Sequence, residues 1–201
     1  MPLDFRVIIL LPFWPFFRYN IPMDYSKVFR LVAEASKKSA VPCILIGGFA
    51  VNFYKVTRGT RDVDFLMTKD DFKKIEKALI EAGYAEDFAT NVAVRMSNVK
   101  ESADVDFMIV DEATRDKILE EGQKAKIAGS ELVIPSLNHL IALKLHAIKH
   151  GSKNRLWKDM PDIIDLIKIN KVDFNGAEFK GICLKFGTAE IYKDILGVLK
   201  R

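Results

Sequence analysis

Two acidic alternations set in apolar runs constrain this chain most. They are Asp62-Val63-Asp64-Phe65-Leu66-Met67 and Ala103-Asp104-Val105-Asp106-Phe107-Met108-Ile109. Strand side chains alternate with period two, so Asp62 and Asp64 point to one face and Val63 to the other. Asp104 and Asp106 share a face in the same way. Ahead of the first pair lies Ile44-Leu45-Ile46-Gly47-Gly48-Phe49-Ala50, an apolar run that ends in a glycine pair. It reads as a strand, a glycine turn and the start of a helix.

Acids side by side on a buried strand repel each other, and a cation or shared protons must relieve them. Oxygen-only ligands suit a hard ion, and magnesium keeps several waters and is completed by substrate phosphates. A lone acid–x–acid tripeptide is also a common solvated strand edge. The upstream Gly47-Gly48 changes that balance. Glycines let backbone approach a ligand closely, and the helix N-terminus behind them favours a phosphate. The combination describes a phosphate cradle facing a metal site.

With these residues in place, the chain resembles the nucleotidyltransferases of the DNA polymerase beta-like superfamily. The resemblance rests on Ile46-Gly47-Gly48, a spacer, and Asp62-Val63-Asp64-Phe65. The further match Arg58-x-Thr60-x-Asp62-x-Asp64 looks like the AbiEii-type branch, which includes toxin nucleotidyltransferases of toxin–antitoxin systems. It covers about residues 25 to 170. It implies an α/β (α+β) nucleotidyltransferase fold: a mixed twisted sheet flanked by helices, then a helical C-terminal part. It also implies a third carboxylate on a neighbouring strand. Asp106, between Val105 and Phe107, fits that place best, with Asp104 nearer the strand entrance. Asp62, Asp64 and Asp106 are the expected metal ligands for two Mg2+ ions, or Mn2+ in their place. Two ions about 3.5–4 Å apart stabilise the attacking and leaving oxygens of an in-line displacement, and Asp106 is also a candidate general base.

The chain has 201 residues, net charge +4, 49% hydrophobic and 29% charged residues. That is an ordinary globular balance, mildly basic, and it permits contact with nucleotides or RNA without demanding it. Cys43 and Cys183 form neither a disulfide framework nor a zinc spacing, and both read as reduced thiols of a cytoplasmic protein. Residues 5–17 are strongly apolar but too short to span a bilayer as a helix, and prolines interrupt them. Residues 1–22 read as an N-terminal extension, 23–135 as the nucleotidyltransferase core, and 136–201 as a helical part packed on it. Two readings of the extension stay open: Met23 as the functional start, or a segment docked on the domain or a partner.

Along the chain, Asp24 caps an amphipathic helix that Pro42 breaks. A strand at 43–46, a helix at 49–54 and a strand at 62–67 follow. Thr68 caps the next helix and Gly83 ends it. Strands are expected at 91–96 and 103–110, a helix at 112–121, and a hairpin through Gly129-Ser130. Ser136 caps a helix running to His150. The next helix begins near Asp159, with Pro161 in its first turn, and helices near 176–186 and 188–200 close the chain.

In the helix from 136 to 150, Lys144 lies on the apolar stripe of Leu137, Leu140, Ile141 and Ile148. A lysine there is costly unless paired or snorkelling; a triphosphate or a site acid would pair it. The resemblance adds that AbiEii-type enzymes carry a lysine on the corresponding helix, followed by a basic residue and an acid, with a second acid at i+3. Those positions are Lys158, Asp159 and Asp162. Asp159 also suits a helix N-cap and Asp162 a first-turn acid, and Asp159 is placed to orient Lys144. Arg58 and Arg61 flank the acids, either to grip phosphate or to neutralise Asp62 and Asp64 in the absence of metal. Gly47, Gly48, Arg58, Thr60, Arg61, Lys158 and Asp159 form the expected nucleotide-binding set. Tyr54 and Lys55 are weaker candidates beside Arg58. His146 and His150 have a metal-ligand spacing without a third ligand, and read as a solvated face.

The expected activity is magnesium-dependent transfer of a nucleoside monophosphate from an NTP to a hydroxyl acceptor, with release of pyrophosphate. The resemblance makes the acceptor an RNA such as tRNA, or a protein, and allows a cognate antitoxin or toxin partner; no membrane partner is expected. Two alternatives remain open: a small-molecule, aminoglycoside-like acceptor, and a non-catalytic nucleotide-binding or antitoxin-like partner protein.

Overall fold

In a computed structural model describing residues 25–98 and 103–200, the two acidic alternations become neighbouring parallel strands. In chain order the elements are α1 (Tyr25–Lys38), β1 (Ile44–Leu45), α2 (Gly47–Phe53), β2 (Val63–Thr68), α3 (Lys69–Glu81), β3 (Ala85–Ala89), β4 (Ala93–Ser97) and β5 (Val105–Val110). Then come α4 (Glu112–Glu121), β6 (Gln123–Ile127), β7 (Ser130–Ile134), α5 (Leu137–His150), α6 (Asn154–Ile169), α7 (Ala177–Phe186) and α8 (Ala189–Leu199). The strands form one mixed seven-stranded sheet in the order β3-β4-β5-β2-β1-β7-β6. The N-terminal extension 1–22 and the Asp24 cap lie outside the described residues.

Period two sorts the sheet faces. Val63, Phe65 and Met67 of β2 and Val105 and Phe107 of β5 join the main core, with Val28, Phe29 and Val32 of α1 and Phe72, Ile75 and Leu79 of α3. The opposite face carries Asp64 and Asp106, then a smaller apolar cluster of Ile44, Ile46, Leu66 and Ile118, joined by Met108 and Leu143. That second face is only partly covered, so the acids meet open space. Leu140, Ile141, Leu145 and Ile163 from α5 and α6 belong to the main core, so the C-terminal helices are packed into the same hydrophobic body as the sheet.

The helix starts follow their caps. Thr68 accepts from Asp71 N, and Ser136 from His139 N. Between β6 and β7, Ala128 and Gly129 both have positive φ (49° and 84°), which sets the hairpin turn one residue before the Gly129-Ser130 expected. Cys43 and Cys183 are free thiols, both pushed up to about 12 by burial.

Three expectations are corrected. Helix α2 begins at Gly47 itself rather than at Phe49. Strand β3 was not expected at all, because all five of its residues are exposed and no apolar alternation marks it. Helix α6 starts at Asn154 rather than near Asp159, so Asp159 is not an N-cap and Pro161 sits inside the helix. Pro161 is exposed, so the carbonyl that its ring leaves without a partner faces water.

Candidate active site

The parallel β2–β5 register sets Asp64 directly beside Asp106, on strands about 4.8 Å apart. Asp62 occupies the bend just before β2, and the backbone N–H of Val63 donates to the Asp104 carbonyl at 3.1 Å. Burial, then the charge of Asp106, push the Asp64 carboxyl up to about 6; Asp62 adds to the rise, while Lys158 and Lys144 oppose it. The three acids expected to act together are therefore electrostatically coupled.

The glycine pair lies against this group. Ile46 N donates to the Asp64 carbonyl at 2.9 Å, which brings the start of α2 over the acid. Gly47 has φ +64°, and a Cβ on it would fall 1.9 Å from Asp64 Oδ2. A Cβ on Gly48 would fall 2.5 Å from Arg58 Nη1 and 2.6 Å from Thr60 Cβ. The close approach these glycines permit is thus first to the chain's own acid strand and to the segment leading into it.

Arg95 is the site residue that sequence reasoning missed. In the antiparallel β4–β5 register it faces Asp106. Its Nε donates to Asp106 Oδ1 and its Nη2 to Oδ2, both at 2.7 Å, a bidentate fork. That contact raises the Arg95 guanidinium further above its already high range. Arg58 and Arg61 were expected to neutralise Asp62 and Asp64; no ion pair joins them to those acids among the described residues, and Arg95 pairs with Asp106 instead. Arg58 turns away to Asp162, with Nε 2.8 Å from Oδ1, and Arg61 is exposed.

Lys144 is buried at 6% exposure and fully engaged. Its Nζ donates to Asp159 Oδ1 at 3.0 Å and to Asp162 Oδ2 at 2.5 Å. The lysine on the apolar stripe is therefore paired by two acids of α6, themselves buried. Asp159 Oδ2 is buried without a hydrogen bond, and Arg155 Nη1 lies 3.5 Å from it. The chain of contacts runs Arg58–Asp162–Lys144–Asp159–Arg155 and ties the segment before β2 to α5 and α6.

The remaining candidates divide. Thr60 Oγ1 donates to the Asp62 carbonyl at 3.1 Å, and the Tyr25 hydroxyl donates to the Thr60 carbonyl at 3.0 Å, so α1 anchors the acid-bearing bend. Lys158 is exposed, yet its charge reaches Asp64. Tyr54 is not available to a nucleotide: it is buried and its hydroxyl donates to the Pro135 carbonyl at 2.6 Å. Lys55 is exposed at a φ of +65°. His146 and His150 are exposed and lie beside each other, with ring centroids 4.4 Å apart.

A cavity of about 490 Å³ opens over Asp64 and Asp106. Gly47, Asp64 and Asp106 form its floor; Leu140, Lys144 and Ala147 of α5 and Arg155 and Asp159 of α6 form one wall. Asp87, Phe88, Val92 and Arg95 from the β3–β4 hairpin form the other. Asp62, Gly48, Arg58, Thr60, Arg61 and Lys158 do not line it. The donor chemistry of the acids fits a hard divalent ion: oxygen only, with the Asp64 carboxyl raised by burial first and then by the charges of Asp106 and Asp62. Among the described residues, however, no three His, Cys, Asp or Glu side chains converge as metal ligands. Asp106 turns both its oxygens to Arg95.

Residues 26–200 match a family described as uncharacterised nucleotidyltransferase. No curated protein matches the sequence. Among solved structures, the chain is similar to the antibiotic-resistance factor ANT(2'')-Ia, at 15% identity and TM-score 0.52, over 87% of this chain and 90% of that one. It is similar to the lincosamide antibiotic adenylyltransferase LnuA solved with lincomycin, at 14% identity and TM-score 0.52, over 73% and 98% of the two chains. An antigenic nucleotidyltransferase-like protein from Paracoccidioides brasiliensis shares 16% identity at TM-score 0.52, over 87% and 91%. At these identities the structures establish the fold: the mixed sheet and its helices are those of nucleotidyltransferases.

Proposed function

This chain belongs to the uncharacterised nucleotidyltransferase family, and from that premise we propose that it transfers a nucleoside monophosphate from an NTP to a hydroxyl of an RNA end, releasing pyrophosphate. The observation that carries the chemistry is the in-register pair Asp64 and Asp106 on the floor of a cavity walled by Lys144.

Asp62 and Asp64 would hold the magnesium ion of the triphosphate, and Asp106 would join them in holding a second. When bound, such ions neutralise the triphosphate and sharpen the attacking hydroxyl. Once an oxygen of Asp106 is released from Arg95, it could take the proton of that hydroxyl. Lys144 of α5 lines the cavity with its Nζ fixed by Asp159 and Asp162, so its place there is to set the position of those acids beside the substrate. Gly47 keeps the floor bare, so the chain of the nucleotide can lie close to Asp64. Asp159 Oδ2 makes no hydrogen bond and has only the Arg155 guanidinium, 3.5 Å away, beside it, so it could accept a hydrogen bond from a nucleotide hydroxyl.

The RNA acceptor rests on α6. Trp157 is 80% exposed, and the stretch of chain around it carries Lys153, Arg155 and Lys158, with Arg155 and Asp159 lining the cavity. An exposed aromatic among cations suits single-stranded nucleic acid, where bases stack and phosphates pair. The AbiEii-like motif Arg58-x-Thr60-x-Asp62-x-Asp64 supports the same acceptor and a toxin–antitoxin setting. A second reading, a small-molecule acceptor, is favoured by Asp87 at the cavity wall and by the antibiotic adenylyltransferases among the similar structures.

The test is label transfer with each α-labelled NTP in turn, magnesium, and total RNA, lysate protein, an aminoglycoside or a lincosamide as acceptor. Label appearing on RNA supports the proposal and names the nucleotide. Label on an antibiotic or on protein, with none on RNA, refutes the RNA acceptor.

A further inference from the structure

We propose that Arg95 is the resident counter-ion of the carboxylate site: it holds Asp106 in the absence of divalent cations and competes with them for it. The inference rests on the reading of Asp62, Asp64 and Asp106 as metal ligands, and concerns a residue that reading does not contain.

The geometry is specific. Arg95 and Asp106 are cross-strand partners in the β4–β5 register, and the guanidinium fork takes both carboxylate oxygens at 2.7 Å. The two side chains are 40% and 27% exposed, and both line the cavity. Partial exposure to water discounts what the pair contributes to stability, and its place on the cavity wall sets it against whatever the cavity binds. Every other strong contact near the site is already spoken for. Lys144 serves Asp159 and Asp162, and Arg58 serves Asp162. Asp64 forms no ion pair with another described residue, although Asp106 stands beside it. Without a cation on Asp106, the carboxylates would face each other across adjacent strands. Arg95 relieves that repulsion, and it does so at every physiological pH because a guanidinium does not deprotonate.

The consequence is competition. With both oxygens turned to Arg95, Asp106 does not converge with Asp62 and Asp64 on one point, and no preformed three-acid site exists among the described residues. A divalent ion that uses Asp106 must displace charge-assisted hydrogen bonds first. Arg95 is therefore a positioning residue that sets how much free cation the site needs before it assembles, and it keeps the acids apart until then.

Binding of Mn2+ alone to the full chain, without nucleotide and followed by the electron paramagnetic resonance of the free ion, tests this. Arg95→Gln removes the competitor, so Mn2+ affinity is expected to rise about tenfold, the equivalent of one charge-assisted contact no longer surrendered. Arg95→Lys keeps a charge but loses the fork, so its gain is smaller; it also serves if the glutamine variant does not fold. Asp106→Asn weakens Mn2+ binding, and adding Arg95→Gln to it gives no further gain. A merely structural arginine predicts the opposite pattern: Mn2+ affinity unchanged or lower in both Arg95 variants, which overturns the proposal. Absence of Mn2+ binding in wild type and every variant overturns the metal reading beneath it, a result distinct from the first.

Discussion

Replacing Asp64 by asparagine is expected to stabilise the protein, by an amount that depends on pH. Burial and the neighbouring Asp106 raise the Asp64 carboxyl from 3.8 to about 6. A carboxyl raised on folding holds its proton more tightly in the native state than in the unfolded one. Between those two values the native state binds more protons, so stability falls as pH rises through the window. Below the unfolded value both states are protonated and the stability is fully present. Above about 6 the full cost applies, about 3 kcal/mol at roughly 1.4 kcal/mol for each pH unit. Asparagine keeps the shape, carries no charge, and forfeits no side-chain hydrogen bond to another described residue. Asp64→Asn should therefore exceed wild type by about 2–3 kcal/mol near pH 8, with the gap closing toward pH 4. Urea denaturation followed by circular dichroism at several pH values measures it. A variant less stable than wild type near pH 8, or a gap that does not change with pH, would refute the reasoning.

Three further outcomes follow from the same geometry. Lys144→Met leaves Asp159 and Asp162 buried without their shared cation, with only the half-exposed Arg155 at 3.5 Å from Asp159 and Arg58 on Asp162, and should cost about 3 kcal/mol in denaturation; adding Asp159→Asn should recover part of it. Gly47→Ala places a methyl where Asp64 Oδ2 lies and forces a positive φ on alanine, so it should lower stability by about 1–3 kcal/mol and abolish label transfer. Tyr25→Phe removes the hydroxyl that holds the Thr60 carbonyl; it should lower stability by about 1 kcal/mol and raise KM for NTP by loosening the bend at Asp62.

The parts of the site legible in the sequence were those whose signal is local. The acids declare themselves because period two sets them on one face of an apolar strand, and Lys144 because a charge interrupts an apolar helical stripe. Arg95 gives no such signal: in Val94-Arg95-Met96 it occupies the outward position of an ordinary half-buried strand. Only the β4–β5 register, a non-local pairing, sets it opposite Asp106. Strand β3 was illegible because exposed edge residues leave no alternation to read. The start of α6 was misplaced because Lys153 at its N-cap makes no side-chain cap bond, whereas Asp159 and Pro161 imitate a helix start. The fold itself was legible because buried strands and capped helices alternate along the chain, each carrying its own apolar period.

The central claim, that the paired acids Asp64 of β2 and Asp106 of β5 perform nucleotidyl transfer, meets its most direct test in Asp64→Asn assayed for transfer of label from α-labelled NTP to RNA beside its denaturation curve. The account expects transfer to fall to background in a variant that is folded and at least as stable as wild type, so that loss of structure cannot explain the loss of activity. Transfer at the wild-type rate by the folded variant would contradict it.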